Sequence, residues 1–496
     1  MTDRDRPKLI AWLPDFVYAE GQFKSRRAVV SNSEGLIEKI VRADQLTDEK
    51  KINLPRRALL PGMVNAHSHA FQRVLRGRTE YRTSDQRDSF WTWREMMYSA
   101  ATRLSPEDVY DASRMAFLEM ALSGITAVGE FHYLHHAPDG RPYDDPNLLA
   151  KEVIRAASEV GLRIALLRVA YARSGFQMEA NSRQLRFIES SETYLQNLES
   201  LIWDLGKGAE RERSTDFISA GALPDRPTRG RTSDSVWVGV APHSVRAVPL
   251  DYLREVIGYA NESGLKTHMH VAEQPAEVSA CVEEYGRTPT ALLESEGLLS
   301  QHFTAVHAIH VTPKAIAAFA KTGAMVCACP TTERNLGDGV VPAAEYQRNG
   351  AAICLGTDNH AQIDLLEDAR ELEYHVRLQK LERAVLSPSN PSDNPASEAA
   401  RYLFDSATIN GARSIDAPGG MLAAGMPADF FTVDLDDPSI AGASQNDLLP
   451  GIVFTLSRAA VREVVVAGKP VVSEGRHLIQ EEVVERFNDL QKKLWS

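Results

Sequence analysis

The sequence predicts an α/β chain: a (β/α)8 TIM-type barrel with a small β-sandwich domain built from both chain termini. Three observations carry that prediction. Eight short apolar runs alternate with longer amphipathic stretches between about residues 60 and 360. The flanks, 8–58 and 428–475, hold short alternating β pieces and turns instead. The length of 496 residues accommodates a barrel of roughly 250 residues with additions.

In order, the apolar runs are 58–66 (ALLPGMVNA), 125–131 (ITAVGEF), 162–170 (LRIALLRVA), 236–241 (VWVGVA), 265–272 (LKTHMHVA), 303–309 (FTAVHAI), 323–329 (GAMVCAC) and 352–357 (AICLGT). Each is too short for an ordinary helix, and most are rich in Val, Ile and Ala. They read as strands buried on both faces of a parallel sheet. Helical patterns lie between them, at 105–123, 146–160 and 250–263. The first opens with Ser105 as N-cap, Pro106 next and acidic residues in the first turn. Val-rich pieces such as DFFTVDL and REVVVAGKPVV, paired with those of the N-terminus, give the small domain. The expected divisions are 1–60 and 413–496 for the two parts of the small domain, the latter with a closing helix, and 61–412 for the barrel. Two polar stretches, 205–235 and 386–398, read as surface insertions.

Charge and composition narrow the function. With 55 Lys plus Arg against 67 Asp plus Glu, the net charge is −12, which argues against a general nucleic-acid surface. No apolar run reaches the roughly 18 residues of a membrane span. The N-terminal apolar stretch is broken at once by Pro14 and Asp15, so it does not read as a secretory signal. Cys281, Cys327, Cys329 and Cys354 contain no Cys-x-x-Cys pair and fit a reducing cytoplasm.

Twelve of the fourteen histidines fall between residues 67 and 360, mostly at the ends of the expected barrel strands. His67 and His69 close the first, His132 follows the second and His243 follows the fourth. His268 and His270 lie on the fifth, His307 and His310 end the sixth, and Asp358 ends the eighth. Side chains at i and i+2 of a strand point the same way. His67 and His69 can therefore face one metal, as can His268 and His270 across the barrel. Barrel active sites are built at these C-terminal strand ends. One such histidine would read as structural; the combination reads as a metal site. Cys327 and Cys329 read as strand packing. His135, His136, His302, His375 and His477 read as structural or solvent-facing.

PGMVNAHSH at 61–69, HVAE at 270–273, His307 and GTD at 356–358 resemble the amidohydrolase superfamily of metal-dependent barrel hydrolases. A narrower resemblance runs through HSHAFQR (67–73), FWTWREMMY (90–98), EFHYLHH (130–136), APHSVRAVP (241–249), HMHVAEQ (268–274), VHAIH (306–310) and CPTTERNLGDG (329–339). These are similar to the branch that hydrolyses N-formimino-L-glutamate in histidine degradation. The chain departs from that pattern in the 205–235 segment and at Asn359 and Gln362.

The resemblance implies one divalent metal, zinc or iron(II), held by His67, His69, His270 and Asp358. The strand-4 end, APHS, lacks the Lys or Glu that bridges two metals in dinuclear relatives. It implies Asp358 as general base, Glu273 as the amidine's partner and proton carrier, and His307 as stabiliser of developing charge. It further implies Arg94 and Arg246 as carboxylate forks, helped by Tyr133, His243 and Gln72. The expected products are N-formyl-L-glutamate and ammonia. The expected partner is this small molecule, with no nucleic acid and no membrane, and a homodimer is left open. A deaminase of the same superfamily acting on a ring or guanidino substrate is the alternative. A metal-binding scaffold without activity is a more distant one.

Overall fold

A computed structural model describes residues 9–81, 90–215, 233–388 and 394–496. Eight parallel strands run in sequence order around one sheet. They are β1 (Met63–Ser68), β2 (Ile125–His132), β3 (Arg163–Ala170), β4 (Val236–Pro242), β5 (Thr267–Val271), β6 (Phe303–His307), β7 (Met325–Ala328) and β8 (Ile353–Leu355). Nearly every residue in them is buried, because side chains fill the barrel interior on one face and helices cover the other.

The barrel closes through its functional end. Ser68 bridges Asp358 in parallel register. Asp358 N donates to His67 O at 3.0 Å, and His69 N donates to Asp358 O at 3.1 Å. Gly356 permits this approach: a Cβ there would lie 2.7 Å from His67 Cβ and 2.9 Å from its carbonyl oxygen. The seam that closes the cylinder thus fixes three of the proposed ligands against one another.

Connecting helices follow the local signals. Pro106–Leu122 begins at Ser105, whose Oγ accepts from Asp108 N while Asp108 Oδ2 accepts from Ser105 N, a capping box. The final helix, Gln480–Trp495, buries Val483, Phe487, Leu490 and Leu494 on one face. It lies along Pro106–Leu122, with Lys493 Nζ 2.6 Å from Asp108 and Arg486 Nη2 2.9 Å from Asp111. The helix Ser191–Thr215 runs into the first part of the polar 205–235 segment. Residues 216–232 lie outside the described residues, as do 389–393 of the second expected insertion.

The two termini build one nine-stranded mixed sheet. Lys50–Pro61 is central, parallel to Ile10–Ala19 and antiparallel to Phe430–Asp434. The outer strand Ile37–Arg42 turns back on the sheet: Ile37 N donates to Met426 O at 2.8 Å, just ahead of Phe430. Trp12, Val29, Leu59, Phe430 and Val465 fill the enclosed space. Arg163, at the start of β3, ties this domain to the barrel. Its Nε lies 2.6 Å from Asp429 Oδ2 and its Nη2 3.1 Å from Oδ1, both side chains 4% exposed. Asp429→Ala leaves a buried guanidinium without its carboxylate and is expected to cost about 3–5 kcal/mol. The check is the thermal midpoint; one unchanged from wild type would show that the pair does not join the domains energetically.

Candidate active site

The C-terminal ends of β1, β5 and β8 bring His67, His69, His270 and Asp358 together, their ligand atoms all within 4.8 Å of one another. His67 Nε2 lies 3.3 Å and His69 Nε2 3.1 Å from Asp358 Oδ1. His69 Nδ1 donates to Phe131 O at 3.0 Å, and His270 Nδ1 donates to His243 O at 3.0 Å. These carbonyls set the tautomers and turn each Nε2 lone pair into the site. Burial pushes the His67 imidazole down to about 3 and holds His270 well below the ordinary histidine range. Burial opposes ionisation of Asp358, but the adjoining His67 and His69 outweigh it and keep its carboxyl well below the usual range. Neutral imidazole nitrogens beside a carboxylate are the donor set a divalent metal requires.

His268 faces elsewhere. Its Nε2 donates to Ser414 O at 3.0 Å. The expectation that His268 and His270 could share a metal therefore fails. Two residues of rise along a strand, about 6.6 Å, place them in different layers of the barrel interior. His69 escapes that geometry because β1 ends at Ser68 and the chain turns immediately.

Glu273 and His307 stand beside the cluster, with Glu273 Oε1 3.6 Å and Asp358 Oδ2 3.7 Å from His307 Nε2. His307 Nδ1 donates to Glu333 Oε1 at 3.2 Å, and that same oxygen accepts from Cys329 N at 2.9 Å. Burial works against charge on His307, but Glu273, Glu333 and Asp358 outweigh it and push the imidazole up to about 10. Burial raises Glu273 to about 7 against the pull of His307 and Arg246. His307 (φ 68°), Ala272 (φ 51°) and Asp358 (φ 45°) are all left-handed without being glycine. Such strain gathers at functional strand ends.

A pocket opens over the cluster, lined by His69, Gln72, Phe90, Trp93, Arg94, Met97, Tyr98, Tyr133, Tyr171, His243, Arg246, His270, Glu273, Leu336 and Asp358. Every substrate-contact candidate from the sequence lies in that wall; His67 and His307 stand behind it. Gln72 Nε2 donates to Tyr133 Oη at 2.7 Å. Among the described residues, Arg94 Nε and Nη1 and Arg246 Nε are buried without a hydrogen-bond partner. Arg94 lies 4.6 Å from the Trp91 ring centroid, and Arg246 lies 5.5 Å from the same ring.

Sequence reasoning missed Glu333 and Tyr98, although both lie inside the quoted motifs. It also missed Tyr171, one residue beyond β3, and Glu130 on β2. Glu130 accepts from Ser68 Oγ at 2.5 Å and from Ala70 N at 2.8 Å, holding the turn between the β1 histidines. Four of the remaining histidines are anchored: His135 Nε2 donates to Val169 O at 2.8 Å, and His136 Nε2 to Ile188 O at 2.9 Å. His310 Nε2 donates to Asp338 O at 2.8 Å, and His477 Nε2 to Val160 O at 2.9 Å. Cys329 also comes within reach of His307 and Asp358, closer to the site than strand packing alone implied. Burial holds its thiol well above the usual range, so it stays protonated.

A buried His–Asp cluster on the C-terminal rim of an eight-stranded barrel defines a metal-dependent hydrolase. Residues 58–471 match the amidohydrolase family, and the chain belongs to that family. It is 38% identical over 431 residues to formimidoylglutamate deiminase of Pseudomonas aeruginosa, covering 87% of this chain and 88% of that one. It is 26% identical to 5-methylthioadenosine/S-adenosylhomocysteine deaminase of Pyrococcus abyssi, covering 94% of each. Among crystal structures, an amidohydrolase from Brucella melitensis superposes with a TM-score of 0.83 at 31% identity, covering 98% of this chain and 100% of that one. An adenosine deaminase from Xanthomonas campestris with bound zinc shares the fold, with a TM-score of 0.76 at 22% identity and 98% of each chain covered. The family is metal-dependent, and the buried cluster fits a metal site. No helix among the described residues is long and apolar enough to cross a membrane.

Proposed function

We propose that this chain hydrolyses the formimino group of N-formimino-L-glutamate to give N-formyl-L-glutamate and ammonia, the deimination step of histidine degradation. The observation that carries this reading is a pocket lined by both signs of charge. Buried guanidinium nitrogens without partners share its wall with Glu273 beside the His–Asp cluster. An amidinium with two carboxylates has the complementary charges. A neutral ring substrate offers no pair of carboxylates to the unpartnered nitrogens of Arg94 and Arg246.

One divalent ion, zinc by our reading, fits His67, His69, His270 and Asp358. When bound it supplies Lewis acidity and lowers the pKa of a water ligand to about 7. Asp358 accepts the proton of the attacking water. Glu273 pairs as a carboxylate with the cationic amidine. After water attack makes the carbon tetrahedral, it takes the proton of the new hydroxyl and delivers it to the departing nitrogen as the C–N bond breaks and the carbonyl forms. His307 is held charged by its carboxylate neighbours and steadies the oxygen on that carbon. The four described cysteines are free and buried, which supports placement in a reducing cytoplasm.

Ammonia release measured on N-formimino-L-glutamate, N-formiminoglycine, guanidino acids and purine nucleosides tests the assignment. Wild type is expected to prefer the glutamate derivative strongly. Arg94→Lys and Arg246→Lys keep charge but lose the planar fork. Each is expected to forfeit a charge-assisted contact worth about 1.5–3 kcal/mol, roughly ten- to a hundred-fold in kcat/KM, and to narrow the preference over the glycine derivative. Equal turnover of both substrates by wild type would reduce the assignment to an amidine hydrolase of another acid.

A further inference from the structure

A buried trio outside the expected binding set reaches, through its two tyrosines, the pocket wall that also holds the two arginines. Tyr98 comes from the helix Phe90–Ala101, Tyr171 follows β3, and Gln184 lies in the loop beyond it. Tyr98 and Tyr171 line the pocket and are each 2% exposed, and Gln184 is wholly buried. Gln184 Oε1 accepts from the backbone N–H of Asn181 at 3.1 Å, which fixes the orientation of its amide. Gln184 Nε2 then spends its two hydrogens on the two phenols, at 3.0 Å to Tyr98 Oη and 2.9 Å to Tyr171 Oη. The phenol oxygens lie 3.3 Å apart, so one hydroxyl can donate to the other. One hydroxyl hydrogen is left with no acceptor among the described residues.

That unspent donor has company suited to an anion. Arg94 lies 5.5 Å from the Tyr98 ring centroid, and the His243 ring lies 4.8 Å from that of Tyr171. We propose that the Tyr98–Tyr171 pair donates this hydrogen to one of the two substrate carboxylates, and that Gln184 is the positioning residue that keeps it pointed outward. By occupying a lone pair on each phenol, the amide forces the remaining hydrogen toward the pocket. The trio thereby selects carboxylate over carboxamide at that end of the substrate. An incoming amide N–H₂ would meet an O–H donor and a guanidinium, with nothing to accept its hydrogens. This inference rests on the substrate class proposed above.

The test compares N-formimino-L-glutamate with its two isosteric amides, N-formimino-L-glutamine and N-formimino-L-isoglutamine, which replace each carboxylate in turn. Wild type should prefer the diacid over both. In Tyr98→Phe, Tyr171→Phe and the double variant, loaded with metal to the wild-type level, preference over one amide should fall about tenfold, chiefly through KM. Preference over the other should hold. Gln184→Met preserves length and packing but donates nothing. If Gln184 only packs, this variant keeps both preferences; if it aims the hydroxyl, it narrows the same one as the tyrosine variants. Both ratios staying within twofold of wild type in all four variants would overturn the proposal. If wild type releases no ammonia from N-formimino-L-glutamate, the substrate assignment falls first. The carboxylate role is then judged by calorimetric binding of glutarate against glutaramate to the same proteins. Selective weakening of glutarate supports the role, and equal weakening of both, or of neither, overturns it.

Discussion

His67→Ala, His270→Ala and Asp358→Ala are each expected to lose metal and turnover together. Wild-type protein should carry about one divalent ion per chain, since structural and catalytic zinc sites are built from three or four such donors. Metal catalysis supplies several kcal/mol of transition-state stabilisation. Losing about 4 kcal/mol corresponds to roughly a thousand-fold in rate. Asp358→Ala should be the most severe, because the same carboxylate is both ligand and proton acceptor in the proposed reaction. His268→Ala is the internal control. Its imidazole is tied to Ser414 O, so that substitution should leave metal content near wild type. The other His–Cys–Asp grouping, His307, Cys329 and Asp358, shares its carboxylate with the first. His307 turns its Nδ1 to Glu333, and Cys329 is held as a thiol, so this grouping is a poor competitor. Two tightly held ions per chain, the second lost in Cys329→Ser, would sink the mononuclear reading. So would a metal-free His67→Ala protein that still turns over.

How far the sequence reveals these features depends on how local their cause is. The barrel strands are legible because burial on both faces demands unbroken apolar runs, and the Ser105 capping box because its signal lies within four residues. The clustered residues at 67, 69 and 358, the proposed ligands, are legible as candidates from the rule that chemistry sits at C-terminal strand ends. His268 and His270 show where that rule stops. Alternation gives the face of a strand but not the depth along the barrel axis, so only the closed barrel separates the two. Gln184 had no signal at all. Its role depends on a backbone N–H three residues upstream and on phenols 86 and 13 residues away. Glu333 shows the intermediate case, a residue within a quoted motif whose purpose appears only when helix Pro330–Leu336 docks against β6.

Glu273→Gln is the sharper test of chemistry because it should spare the metal. Glu273 is not among the clustered ligands, and its carboxylate makes no hydrogen bond among the described residues that the amide would break. Its nearest charged neighbour is His307, at 3.6 Å. Folding and metal content should therefore match wild type. The amide cannot carry a proton between water and leaving nitrogen, and it cannot neutralise an amidinium. General acid–base groups contribute about 10²–10⁴-fold, and kcat should fall on that scale. The pH profile then separates proton transfer from simple loss of binding. Burial raises Glu273 to about 7 in the metal-free site, so both protonation states are accessible near neutrality. The carboxylate form must pair with the cationic substrate. Wild-type kcat/KM should thus fall about tenfold per pH unit on the acidic side of this group's pKa, since only the shrinking ionised fraction is competent. A bound divalent cation favours the carboxylate and moves that limb to lower pH. In Glu273→Gln the limb should disappear, leaving a low, flat rate across the same range. A variant with wild-type metal content, reduced kcat and an unchanged acid limb would assign the limb elsewhere, with Asp358 and His307 the remaining candidates. A variant with near-normal kcat would remove Glu273 from the proton path altogether.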